Sequence, residues 1–256
     1  MDKQELIKKI TEKKDFSKLP IKDVELAFEK FNKEGFLDEE KIKLTRNLLR
    51  KVFSAFISHK ILSLKDKPSE WILRKHLSTR ERLPYYSEIY KKILNKTGRK
   101  VSIIDLGAGI NGFSYGYFSK LGYNVSYTGV EAVGQLVNLT NYYFKAKKIK
   151  GEAFHLSLFD LEKIKEVIEK TKKPRIVFLF KTIDSLEMLK ENYSKELILS
   201  IAPLVEEIVV SFATKSMIKR KEFRVNRKWI INFIKENFTI LDEFEVGGER
   251  YVVFMR

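Results

Sequence analysis

The stretch IIDLGAGING (103–112) holds the residues best suited to bind a cofactor. Asp105 closes an apolar run, and Gly107, Gly109 and Gly112 follow in the spacing G-x-G-x-x-G. Glycine turns tightly and carries no Cβ, so the backbone here can approach a ligand closely. Two cofactor classes use such a turn. One is a dinucleotide; the other is S-adenosylmethionine (SAM), whose sites open with the D-x-G-x-G form found at 105–109, the acid orienting the turn and the amino-acid end of the cofactor. Ala108 lies inside the same turn.

Partners for that turn follow at the ends of later strands. Glu131 closes the second apolar run, where an acid can accept hydrogen bonds from both ribose hydroxyls or simply face solvent. Asp160 in LSLFDLEK follows the third run. It, or the neighbouring backbone at Leu161, can hold an adenine amino group, and Asp160 can equally cap the helix LEKIKEVIEK. Phe180 ends the fourth run and completes the predicted cofactor set.

The elements that must carry these residues alternate. Strands are predicted at VSIID (101–105), VSYTGVE (125–131), AFHLS (153–157), RIVFLF (175–180) and EIVVSF (207–212), with helical patterns between them. This rhythm predicts an α/β fold with a parallel sheet covered by helices. The C-terminal FTILDEFEVGGERYVVFMR reads as strand, Gly-Gly turn, strand, an antiparallel hairpin. A parallel sheet closed by such a hairpin is the Rossmann-like layout of SAM-dependent methyltransferases, whereas dinucleotide domains close with parallel strands. Residues 1–75 read as a helical domain, with Leu44, Leu48, Val52 and Phe56 at helical spacing, ahead of a methyltransferase domain at 76–256. Ser78 or Thr79 is placed to cap a short helix in the bridging segment.

Composition narrows the function classes. With no cysteine, disulfides and thiolate sites are excluded, and with three scattered histidines no zinc centre is expected. Hydrophobic residues make up 44% of 256 residues, enough for a sizeable core. The net charge of +16 points to a polyanionic partner, since heat adaptation of a surface would balance its signs. No run suits a signal peptide or a membrane span, so a cytoplasmic protein without membrane contact is expected.

The segment HLSTRERLP (76–84) resembles the H-x-S-T-R-E-R-L signature of the aminoglycoside-resistance 16S ribosomal RNA guanine-N7 methyltransferases. IIDLGAGING, FLFKTIDSLE (178–187) and VSFATKS (210–216) match that family in the same order, so the resemblance covers roughly residues 50–256. It implies that Arg80 contacts the methionine carboxylate of SAM, a bidentate role that suits a guanidinium. It also implies that Lys181 lies near the target nucleotide and that S-adenosylhomocysteine is the product. Arg82, Lys181 and the basic loop with Lys215, Lys219, Arg220, Lys221 and Arg224 are the predicted RNA contacts. This chain departs from the family where Gly112 follows Asn111 in place of a frequent proline, and where KTIDSLE lacks the family's prolines.

Guanine N7 carries a free lone pair, so transfer needs alignment and exclusion of water rather than a general base. A target base would have to leave its stack, with Tyr115, Tyr117 or Phe180 available to stack on it. The leading expectation is a monomeric SAM-dependent methyltransferase acting on ribosomal RNA or the small subunit. A tRNA methyltransferase on the same scaffold, a catalytically silent RNA-binding or ribosome-assembly factor, and a dinucleotide-dependent oxidoreductase are the alternatives.

Overall fold

The structure, a computed structural model, describes residues 1–54, 67–214 and 227–256. Its centre is a seven-stranded sheet in the order β3-β2-β1-β4-β5-β7-β6. The strands are β1 (Lys100–Leu106), β2 (Asn124–Glu131), β3 (Gly151–His155), β4 (Arg175–Phe180), β5 (Glu207–Ala213), β6 (Thr239–Val246) and β7 (Glu249–Met255). β1 to β5 pair in parallel, and β7 runs antiparallel to both β5 and β6. The central strands are buried along almost their whole length, which explains their unbroken apolar sequences. β3 and β6 are the edges, and β6 carries Asp242, Glu243 and Glu245, charges that discourage further pairing. Gly247 and Gly248 both hold positive φ (62° and 77°), the conformation that a two-residue hairpin turn requires. The α/β sheet and its closing hairpin are therefore as the sequence predicts.

Twelve helices surround the sheet among the described residues. Three precede residue 50: α1 (Lys3–Thr11), α2 (Ile21–Glu29) and α3 (Asp38–Leu49), which pack on one another. α1 starts on a reciprocal cap between Asp2 and Glu5. α3 gives way to a wider turn at Arg50–Ser54 instead of continuing, and Phe56 lies outside the described residues. Then come α4 (Ser69–Leu73), α5 (Leu77–Arg82) and α6 (Tyr86–Leu94), ahead of the sheet. Neither Ser78 nor Thr79 caps α5. Thr79 is buried inside it, its hydroxyl donating to Leu73 O at 2.6 Å. α7 (Tyr115–Lys120), α8 (Gly134–Ala146), α9 (Leu161–Glu169), α10 (Ile183–Leu189), α11 (Tyr193–Ile201) and α12 (Lys228–Asn237) connect the strands.

Two features of the sheet position the site. The strand order reverses at β1, which lies between β2 and β4, so a crevice opens beyond their carboxyl ends. β3 ends at His155, opposite Glu131, because β2 offers no further partner. Ser157, expected within the strand, therefore sits in the loop that enters this crevice.

Candidate active site

A cleft of about 800 Å³ occupies the crevice. Its floor is the glycine turn. Gly107 and Gly109 have φ of 76° and 52°, so glycine is required at both. A Cβ at Gly107 would sit 2.8 Å from Thr182 Oγ1, which in turn donates to Leu106 O at 3.0 Å. Gly112 has another task. A Cβ there would lie 2.8 Å from Phe144, so the third glycine lets the turn pack against α8, and the proline common in the family has no place here.

Acids hold this floor in shape. Asp105 is buried and accepts from Asn111 Nδ2 at 2.7 Å and Tyr127 Oη at 2.5 Å. Burial raises its pKa, and those two donors oppose the rise. Glu131 accepts the Gly109 N–H and the Val133 N–H, each at 2.8 Å, one on each carboxylate oxygen. Each oxygen keeps a lone pair for a ligand hydroxyl. Burial pushes Glu131 up as well, against the pull of the Val133 and Gly109 amides.

One end of the cleft is a buried ion network. Arg82 Nε donates to both oxygens of Glu249, at 3.1 and 3.0 Å, and Nη1 reaches Asn111 Oδ1 at 3.5 Å. Tyr86 Oη donates to the same Asn111 oxygen at 2.7 Å. Lys181 Nζ bridges Glu81 at 2.8 Å and Glu249 at 3.1 Å, and Ser211 Oγ donates to Glu249. Burial would raise Glu249, yet the charges of Arg82 and Lys181 hold it below the usual carboxylate value. Burial also drives the neighbouring His76 down to about 3, helped by Arg82 and Lys181, so its imidazole is neutral. One donor in the network is spare: Arg82 Nη2 is buried with no partner among the described residues. A buried guanidinium nitrogen left over beside a glycine turn fits a ligand carboxylate.

These positions correct several sequence expectations. Arg80 is exposed and does not line the cleft, whereas Arg82 does. Two residues along a helix are about 200° apart, so the two arginines face opposite ways. Arg82 is 3% exposed and committed to Glu249, which removes it from the predicted RNA contacts. Lys181 lines the cleft at the end of β4, as its sequence position implies, but its ammonium is held between two acids. Asp160 points outward to Lys22 and Lys163, at 3.0 and 3.1 Å, and makes no side-chain cap. Neither it nor Leu161 lines the cleft; Leu158 and Phe159 do. Ala108 and Phe180 line it too, Phe180 lying 5.0 Å beneath the Arg82 guanidinium. Tyr115 and Tyr117 lie outside it, with Tyr115 donating to Val125 O and Tyr117 packed on Tyr86. Lys215, Lys219, Arg220, Lys221 and Arg224 fall outside the described residues.

Sequence reasoning missed Glu249, Asn111, Thr182 and Asp23, all of them close to the cleft. Glu249 is signalled only as the one acid of β7, at the start of a strand that turns apolar after Arg250. Asp23 stands among Val24, Ala27 and Phe28 on the buried stripe of α2, where an acid is out of place.

Comparison with known proteins identifies the family and the fold. Residues 42–229 match the family described as ribosomal RNA methyltransferase (FmrO). A 16S rRNA (guanine(1405)-N(7))-methyltransferase of Proteus mirabilis is 24% identical over 197 residues, covering 72% of this chain. The match spans 64% of that relative's length. The 16S rRNA methyltransferase RmtF, solved in complex with S-adenosyl-L-homocysteine, superposes with a TM-score of 0.79 at 21% identity. That alignment covers 100% of this chain and 99% of RmtF. The 16S rRNA methylase RmtB gives 0.78 at 18% identity, with 100% and 99% covered. These structures share the fold, and the family match extends over most of the sequence. The chain belongs to the FmrO family of ribosomal RNA methyltransferases.

Proposed function

We propose that this protein transfers the methyl group of SAM to N7 of a guanine in small-subunit ribosomal RNA, leaving S-adenosylhomocysteine. The observation that carries the reading is the spare nitrogen of Arg82, buried at one end of a cleft whose floor is the D-x-G-x-G turn. Arg82 would take the methionine carboxylate, and Glu131 the ribose hydroxyls. The names of the Proteus relative and of RmtF and RmtB support the substrate class.

When bound, the cofactor supplies an electrophilic methyl on a sulfonium. The chain's own residues align and shield it. Nothing in the cleft needs to take a proton from guanine, because N7 attacks through a lone pair. His76 is neutral there and Lys181 is held by its two acids. Phe180 and Trp229 both line the cleft, and the indole is placed to stack on an extruded base. Asp184 and Arg227, paired at 2.6 Å, lie on the cleft wall with them. Helices α1 to α3 are proposed to form an RNA-docking element, and the basic segment after β5 to follow the phosphate backbone.

Methyl transfer from radiolabelled SAM to intact small subunits, naked ribosomal RNA and bulk tRNA tests the reading. N7-methylguanine in the subunits or their RNA is the expected product. Label confined to tRNA would keep the chemistry and change the substrate. No label with any of them would contradict the proposal.

A further inference from the structure

At the other end of the cleft lies an acid that the catalytic reading leaves unused. Asp23 projects from α2, in the N-terminal helices, and lines the same cavity as Glu131, Leu158 and Phe159. It is 2% exposed. Its carboxyl lies near the Ser157 hydroxyl, which accepts the Phe159 N–H at 3.0 Å. Oδ2 has no partner among the described residues. A buried carboxyl oxygen without a donor is costly, and a native protein retains one where a ligand completes it.

Position identifies the donor. In a crevice of this type the ribose sits at the end of β2, and the base lies beyond it, toward the end of β3. Asp23 stands there, lining the cavity beside Leu158 and Phe159 of the loop that leaves β3. Asp160, the acid that the sequence offers for this task, is paired with Lys22 and Lys163 instead and does not line the cleft. Leu158 and Phe159 supply apolar walls for a flat ring, and the exocyclic amino group of adenine is a donor in need of an acceptor.

We propose that Asp23 is the acceptor for the adenine amino group, so that the N-terminal helices complete the cofactor site. This rests on the cofactor reading above. It also places part of the SAM site on the element proposed to dock RNA, so each ligand would sense the other through α2.

The test compares S-adenosylhomocysteine with S-inosylhomocysteine, in which a carbonyl oxygen replaces the amino group, by calorimetry on the full chain. Wild type should prefer the adenosyl ligand by about tenfold, the scale of one well-placed hydrogen bond. Asp23→Asn, which keeps the shape and offers an amide donor, should narrow that preference to within about threefold or reverse it. Asp23→Ala should erase the preference without reversing it. The ratio is read within each folded variant, so a general loss of affinity does not mimic the result. Wild-type preference retained in both variants would overturn the role of Asp23 while leaving the cofactor reading intact. Wild type binding neither ligand would overturn both.

Discussion

The two ends of the cleft are built differently. At the α5–β7 end, Arg82, Lys181, Glu81 and Glu249 form a dense network, and a charged donor is left over among the described residues, Arg82 Nη2. At the α2–β3 end the polar groups are few, and the one left over is an acceptor, Asp23 Oδ2. A ligand that satisfies both carries an anion at one end and a donor at the other. SAM does, with its carboxylate and its adenine amino group. On the proposed reading the cleft takes the two ends of that molecule by opposite hydrogen-bond polarity, and only the first end tolerates a full charge without help from the ligand.

Breaking the dense end should have the largest effect. Arg82→Ala is expected to abolish measurable S-adenosylhomocysteine binding and to cost about 3–5 kcal/mol of stability, because Glu249 stays buried with less compensation. Adding Glu249→Gln should recover stability in urea unfolding but not binding. If the double variant regains affinity, the spare donor is not the ligand contact.

The sparse end should show itself in the pH dependence. Asp23 is raised from 3.8 to about 7, so between about pH 4 and pH 7 the folded chain holds a proton that the unfolded chain releases. Its contribution is complete below pH 4 and lost as pH rises through 7. His76, depressed to about 3, acts in the opposite direction, its contribution present above 6.5 and lost as pH falls. Asp23→Asn removes only the first slope. The stability of the variant should therefore gain on wild type across this window, by on the order of 2–4 kcal/mol in total. Parallel curves in urea titrations at pH 5 and pH 8 would show that Asp23 does not hold that proton.

Glu131 lies between the two ends; it holds the glycine turn, and the proposed reading gives it the ribose as well. Glu131→Ala should cost about 1–3 kcal/mol, through the unpaired Gly109 and Val133 amides, and weaken cofactor binding about tenfold. Unchanged affinity alongside lost stability would restrict it to holding the turn.

What the sequence revealed and what it hid divide along the same line. The sheet was readable because its strands are apolar runs, and the hairpin because Gly247 and Gly248 announce a turn. The floor was readable because Gly107 and Gly109 need positive φ, a requirement that shows in residue type. The choice between Arg80 and Arg82 was not. Both lie in one motif, and only the helix phase of α5, fixed by burial of Thr79 and Leu83, decides which faces in. Asp160 misled for a related reason: β3 stops at His155, so the loop presents Ser157, Leu158 and Phe159 to the cleft and turns Asp160 outward. Asp23 and Glu249 come from segments far along the chain from the glycine turn, and no local pattern links them to it.

Within the motif, Arg82 and not Arg80 is proposed to hold the cofactor carboxylate. Calorimetric titration of S-adenosylhomocysteine into Arg82→Lys and Arg80→Ala tests it directly. Arg82→Lys keeps a positive charge opposite Glu249 but removes the second nitrogen of the fork. The account predicts binding at least about tenfold weaker in Arg82→Lys and within about twofold of wild type in Arg80→Ala. Affinity lost in Arg80→Ala and retained in Arg82→Lys would contradict it.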